Sequence, residues 1–178
     1  FDIALAAYGQ VLQAEPRHAD ALHLSGVLHA QRNRLEDAER LIRAALDVLP
    51  DEAMFHNNLG NVHVECGRDA EALASFERAH ALAPERPDIC NNLGVLMSRA
   101  GRAEEAVKMF EQVLARAPQF EDARLNLASH HLRRGEVAHV LEHVFLGPDQ
   151  LIRLRSTMEK RTQVGGACFA RLVAICPS

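Results

Sequence analysis

Proline and glycine residues recur in this chain with a period of 34 residues. Prolines recur at one phase of this period and glycines recur at another. The prolines are Pro16, Pro50, Pro84 and Pro118, and the glycines are Gly26, Gly60 and Gly94. A fixed period of this length is typical of stacked helical units, each too small to bury its own apolar face. The sequence therefore predicts an all-α array whose core runs as a seam from unit to unit.

Each unit has the pattern of two helices joined by short turns. Apolar residues recur at three- and four-residue intervals, which is the spacing of one helical face. Gly67 and Gly101 stand where the first helix of a unit should end, and Asn33 holds that place one period earlier. The predicted divisions are the second helix of a truncated repeat at 1–18, full units at 19–52, 53–86 and 87–120, a degenerate fourth repeat at 121–147, and a capping helix with an apolar tail at 148–178.

The spacing of small and apolar residues that recurs from unit to unit resembles the tetratricopeptide-repeat pattern. In the second full unit the matching positions are Gly60, Ala72, Phe76, Ala79 and Pro84. In the first they are Gly26, Ala38, Ile42, Ala45 and Pro50. The resemblance implies a right-handed superhelix, an α-α solenoid, with the first helices of the units lining a concave groove.

Asparagines recur at the repeat period on the first helices, at Asn58, Asn92 and Asn126. The family resemblance implies that this position faces the groove. An asparagine amide offers a donor and an acceptor, so it can pair with the backbone of an extended peptide. The series resembles the asparagine ladder of the repeats attached to O-linked N-acetylglucosamine transferases, which hold extended polypeptide. The alternative is that these amides bond within or between repeats.

Other polar residues extend the predicted groove, and the charged ones among them are expected to select among ligand sequences. They are Asn57, Asn61, Asp88, Asn91, Arg99, Asp122 and Arg133. A second mode of the family, the clamp for the acidic C-terminal tails of chaperones, requires lysines and an arginine at set positions. This chain has Asn57, Asp122 and Asn126 there, so the sequence argues against chaperone-tail binding.

Histidine patterns raise the question of a metal site. His29, His63 and His131 share one repeat phase, but neighbouring helices lie about 8–10 Å apart, whereas zinc ligands lie about 2.1 Å from the ion. We therefore interpret them as packing residues. The run from His139 to His143 matches the HxxEH pattern of some zinc proteases, without an evident third ligand. The sequence predicts no metal site, no cofactor and no catalytic activity.

Composition limits the partners and the compartment. A net charge of -4 provides no basic stripe for nucleic acid, and no apolar run approaches the roughly 18 residues of a membrane span. The four cysteines lack paired spacing, which favours reduced, buried thiols and a cytoplasmic location. Arginine outnumbers lysine 18 to 2, which suggests a GC-rich, bacterial genome.

These features predict a non-catalytic scaffold that binds a protein or peptide in its groove. Two alternatives stay open. The array is the substrate-recruiting arm of a larger enzyme, such as a bacterial glycosyltransferase, or it forms homo-oligomers through Phe1 and the apolar tail at 167–176.

Overall fold

The structure, a computed structural model, describes residues 2–135, and all regular secondary structure in that range is α-helical. The eight helices are α1 Asp2–Ala14, α2 Ala19–Gln31, α3 Leu35–Leu46, α4 Ala53–Glu65, α5 Asp69–Leu82, α6 Pro87–Arg99, α7 Ala103–Arg116 and α8 Glu121–Arg133. The predictions made for the rest of the fourth repeat, for the capping helix and tail, and for the HxxEH pattern fall outside the described residues.

The helices pack as successive pairs. The pairs α2 and α3, α4 and α5, and α6 and α7 each form a hairpin, and the second helix of each hairpin contacts the first helix of the next. First helices also contact one another, as α2 does α4 and α6 does α8. This stacking confirms the predicted all-α solenoid, because the main helix contacts lie within a unit or between neighbouring units.

The turn after each first helix depends on a left-handed backbone conformation. Gly67, Gly101 and Gly135 have φ values of 72°, 80° and 73°, and Asn33 has a φ of 58°. Glycine adopts this conformation without a steric penalty, and asparagine tolerates it better than most residues. Asn33 therefore fills the glycine position of the first full unit, as the sequence predicts.

The two helices of a unit approach closely where the first carries a glycine. A Cβ built on Gly60 would lie 2.6 Å from Phe76 Cε1, and one built on Gly94 would lie 2.7 Å from Phe110 Cε1. Both phenylalanines are 2% exposed. Because glycine has no Cβ, the aromatic ring of the facing helix can occupy the space that a side chain would take.

The core is a seam rather than a single centre. One buried cluster includes Ile42 and Phe55 near the start of the array, and another includes Phe76, Phe110 and Leu127 towards its end. Helix α1 has no buried residue. The degree of burial therefore rises from α1 into the array.

The fourth position of the units that begin at residues 53, 87 and 121 carries a hydrogen-bond donor. Side chains at this position bond to the carbonyl oxygen of the proline six residues earlier, which ties the connecting turn to the next helix. The three donors are His56, Cys90 and Arg124, and they bond to Pro50, Pro84 and Pro118 respectively.

The two cysteines among the described residues differ in exposure. Cys90 is 1% exposed, and burial raises the pKa of its thiol. Cys66 is exposed because it follows the last residue of α4 and precedes the turn. The prediction that the thiols are buried is therefore wrong for Cys66, and Cys168 and Cys176 lie outside the described residues.

Candidate functional site

The predicted asparagine ladder forms a series of side-chain hydrogen bonds between adjacent repeats. Asn92 Nδ2 donates to Asn57 Oδ1 at 3.1 Å, and Asn126 Nδ2 donates to Asn91 Oδ1 at 3.1 Å. Each bond spans 35 residues, so it joins a first helix to the first helix of the preceding unit. The bonding between repeats that the sequence left as an alternative is therefore present.

The same bond occurs at the start of the series with a histidine as acceptor. Asn58 Nδ2 lies 2.7 Å from His23 Nε2, and His23 stacks on Phe55 with ring centroids 4.2 Å apart. Burial lowers the pKa of the His23 imidazole. At neutral pH the ring is uncharged, and Nε2 can accept the proton of the Asn58 amide.

The acceptor asparagines differ from the expectation that they extend an exposed polar strip. Asn57 is 4% exposed and Asn91 is 7% exposed. Each lies one residue before a donor asparagine, Asn58 or Asn92, and its side-chain oxygen faces the following unit. These two residues hold the repeats together and do not form an open surface.

The donor asparagines are more accessible. Asn58, Asn92 and Asn126 are half-buried and Asn61 is exposed. Asn57 Nδ2 lies 3.5 Å from Asn58 Oδ1, a long contact. Asn92 Oδ1 accepts no hydrogen bond from the residues that the structure describes. The Asn92 amide is thus held by one N–H and retains an acceptor for another molecule.

The predicted groove charges separate into local and inter-helix contacts. Asp88 binds Arg86 through two hydrogen bonds of 2.7 Å and 3.1 Å, which lower the pKa of its carboxyl group. Arg99 forms an ion pair with Asp69 at 2.9 Å. Asp122 is exposed in the first turn of α8. Asp88 is therefore engaged within its own turn, whereas Arg99 links α6 to α5.

Three predicted residues come together in one concavity of about 780 Å³. They are Arg99, Asn126 and Arg133. Sequence reasoning missed the other side chains of its wall, which include Val64, Val95, Ser98, Ser129, His130 and Arg134. The repeat period was the signal that could have found them, because several lie 34 residues from another lining residue. The remaining predicted residues do not line this concavity.

A charged cluster on Glu39 joins α3 to the next unit. Glu39 accepts hydrogen bonds from Arg68 and from Arg43, the latter at 2.9 Å, and it lies 3.4 Å from His63 Nε2. The Arg68 hydrogen bond is the largest cause that lowers the pKa of Glu39 to about 2. The carboxylate is therefore ionised throughout the physiological range.

This cluster contains a serine, a histidine and a glutamate in series, an order that occurs in nucleophilic catalysis. Ser75 Oγ lies 3.3 Å from His63 Nδ1. However, Ser75 donates its hydroxyl proton to the Glu71 carbonyl at 2.9 Å, and Ser75 and His63 are 8% and 2% exposed. A substrate has no access to this serine, so the series supports the fold.

The histidines at the shared repeat phase have separate partners. His29 Nδ1 lies 3.7 Å from Asp37, His63 contacts Ser75, and the His131 ring meets the His130 ring edge-on at 5.5 Å. Within residues 2–135 no group of three potential ligands is placed to hold a metal ion.

Membrane insertion is a separate question. None of the helices within residues 2–135 has the length and apolar character of a membrane span.

The stacked helix pairs define the class of the protein, an α-solenoid with its polar ladder along the first helices. Two sequence profiles described as tetratricopeptide repeat match the chain, one over residues 51–119 and the other over residues 1–61 and 97–144. The chain belongs to the tetratricopeptide-repeat family. A search of curated protein sequences finds no match.

Several solved structures have a similar fold. The crystal structure of MamA is 18% identical with a TM-score of 0.70, covering 88% of this chain and 89% of that chain. YrrB, described as a TPR protein with an unusual peptide-binding site, is 18% identical with a TM-score of 0.70, covering 95% and 83%. The first TPR of Spaghetti (RPAP3), bound to an HSP90 peptide, is 20% identical with a TM-score of 0.62, covering 65% and 92%. At these identities the similarity shows the fold alone.

Proposed function

We propose that this protein is a non-catalytic interaction scaffold that binds an extended peptide segment along the face carrying Asn58, Asn92 and Asn126. The observation that carries the proposal is the hydrogen bonding of the Asn92 side chain. Its amide is fixed by the bond to Asn57, yet Asn92 Oδ1 is not engaged by the described residues. An amide held in this way can pair with a peptide backbone without a further loss of side-chain entropy.

The repetition of this arrangement favours an extended ligand. The three donor amides follow one another at the repeat period, on first helices that contact each other along the array. An extended chain presents backbone donors and acceptors at regular intervals. A row of fixed amides therefore suits backbone recognition, and the flanking charges supply sequence preference.

The similar structures support a peptide as the class of ligand. YrrB is described as having a peptide-binding site, and the Spaghetti (RPAP3) repeat is bound to an HSP90 peptide. The chaperone-tail mode itself is not favoured in this chain. Asn57, at one of the clamp positions, is buried and bonded to Asn92, and Asp122 would repel a terminal carboxylate.

The proposal extends to partners and location. Net charge of -4 argues against nucleic acid as a partner, and the exposed free thiol of Cys66 suits a reducing compartment such as the cytoplasm.

The test starts from a selection of random dodecapeptides displayed on phage against the immobilised protein. The dissociation constants of the enriched peptides are then measured by fluorescence anisotropy for the wild type, Asn92→Ala and Asn57→Ala. We expect Asn92→Ala to weaken binding by about tenfold, because it removes a direct hydrogen-bonding partner of the peptide. Asn57→Ala frees the Asn92 amide but leaves it in place, so it should weaken binding less than Asn92→Ala does.

Asn57→Ala is the matched control for stability. Both substitutions break the same bond between repeats, but Asn92→Ala also leaves the buried Asn57 oxygen without a donor, at a cost of about 1–3 kcal/mol. Binding is therefore measured at a temperature where circular dichroism shows all three proteins to be folded. Equal affinities for the wild type and Asn92→Ala, or a selection that enriches no peptide, would refute the proposal.

A further inference from the structure

The concavity at α6 and α8 has a cationic wall. Three arginines line it, Arg99, Arg133 and Arg134, and no aspartate or glutamate within residues 2–135 does. Polar hydroxyl and amide groups from Ser98, Ser129 and Asn126 complete its polar side. A wall with one sign of charge attracts a ligand group of the opposite sign.

Arg133 differs from its neighbours in its contacts. Arg99 lies 2.9 Å from Asp69, and Arg134 lies 3.5 Å from Glu104. Arg133 has no acidic partner within residues 2–135, where its polar contact is with the Ser98 hydroxyl at 3.5 Å. A distance of 3.5 Å is long for a hydrogen bond, so the Arg133 guanidinium retains most of its capacity for a carboxylate.

The repeat period places this charge at one end of the groove only. Arg99 and Arg133 occupy the same position in successive units, and in the two preceding units that position holds Glu65 and Gln31. At the other end, Leu24 occupies the phase of the ladder asparagines and is 39% exposed. The ladder position is therefore apolar in the first unit, and the position of Arg99 and Arg133 is cationic only in the last two described units.

Part of the lining of the concavity is apolar. Val64 and Val95 line it and are half-buried. An aliphatic side chain next to a carboxylate in the ligand would cover these valines while the carboxylate reaches the arginines. The site thus combines a small apolar contact with a charge contact, as peptide pockets generally do.

We propose that this concavity binds an aspartate or glutamate side chain of the extended partner segment, with Arg133 as the principal charge contact. The inference rests on the proposed peptide-binding function and names its ligand class. A guanidinium binds a carboxylate through two parallel hydrogen bonds, which fix its orientation as well as its charge.

The test compares random dodecapeptide selections on the wild type, on Arg133→Gln and on Arg40→Gln. Glutamine is the residue that this chain already has at the equivalent Gln31. Arg40→Gln is the control of equal charge change, because Arg40 is exposed on α3 and pairs with Asp37, away from the concavity. Arg133 is exposed, so the variant is expected to keep the wild-type circular dichroism melt.

We expect peptides selected on the wild type and on Arg40→Gln to be enriched in aspartate or glutamate at one position, and those selected on Arg133→Gln to lose that preference. For the enriched acidic peptide, Arg133→Gln should raise Kd by about tenfold, whereas replacing the peptide glutamate with glutamine should remove the difference between the proteins.

Two outcomes would overturn this inference while leaving the proposed function intact. They are enriched peptides with no acidic preference, and an acidic preference that Arg133→Gln retains. A selection that enriches no peptide on any of the three proteins would refute both proposals, and it is distinguishable because no binding is then measured at all.

Discussion

Single atoms decide how closely the helices of this array approach. The hydrogen of Gly60 stands where a methyl group would meet the Phe76 ring, and the amide of Asn92 reaches the buried oxygen of Asn57 across the repeat boundary. One contact is apolar and steric, the other polar and directional. Both work because the repeat period returns the same residue types to the same place in each unit.

At this scale we predict that Gly60→Ala destabilises the protein by about 1–3 kcal/mol, because the added Cβ overlaps a ring that is itself buried. Gly9→Ala is the matched control. Gly9 lies within α1, and beyond its chain neighbours and the helix backbone no atom lies within 4 Å of its built Cβ. This substitution should therefore leave stability unchanged or raise it by about 0.5–1 kcal/mol. Thermal melts followed by circular dichroism measure both. Equal melting temperatures for Gly60→Ala and the wild type would contradict the steric account.

At the scale of elements, the ion-pair cluster on Glu39 fastens one unit to the next. Glu39 lies on α3, His63 on α4, and Arg68 immediately before α5, so the hydrogen bonds of a single carboxylate involve three successive segments. Its side chain is 19% exposed. A contact that is partly shielded from water is screened less by salt than a surface pair is.

We predict an acid-dependent stability that originates in this junction. The pKa of Glu39 is lowered from 4.5 to about 2 in the fold, so the unfolded chain takes up its proton at a higher pH than the folded protein does. The stabilisation is fully present above about pH 4.5 and is lost as the pH falls from 4.5 towards 2. Glu39→Gln should therefore melt below the wild type at pH 7, and the difference should shrink across this window.

The control for this prediction is Glu111→Gln. Glu111 is exposed on α7 and forms no ion pair with the described residues. It should change the melting temperature little at any pH in the series. A Glu39→Gln difference that stays constant from pH 7 to pH 2 would show that the carboxylate charge does not stabilise the junction.

At the scale of the whole molecule, the array has a gradient of burial. Helix α1 has no buried residue, whereas α4 and α6 each contribute several to the seam. In a solenoid, stability is the sum of the units and their neighbouring interfaces, so opening is local and begins where burial is least.

We predict that amide hydrogen exchange is fastest in α1 and slowest in α4 to α6. The intact chain undergoes exchange for seconds to hours, and mass spectrometry of its peptides then measures this order. Uniform protection across residues 2–135 would indicate a single cooperative unit and would contradict the account of a divided core.

Periodicity alone determined the class of fold. The 34-residue spacing of prolines and glycines predicts helix pairs that stack, and the left-handed turns at Asn33, Gly67 and Gly101 follow from the residues themselves. Local sequence was sufficient here because each unit contacts only its neighbours, so no pairing between distant segments had to be inferred.

The tertiary structure decided which polar residues face the ligand and which face the next repeat. Asn57 and Asn58 are adjacent and chemically identical, yet the first is buried as an acceptor between units and the second is half-buried. Likewise, Arg99 and Arg133 share a repeat phase, but among the described residues Arg99 pairs with an aspartate and Arg133 contacts a serine. These differences depend on how the units pack in three dimensions, because a hydrogen-bond partner 30 or more residues away is set by the superhelix and not by the residue or its neighbours in sequence.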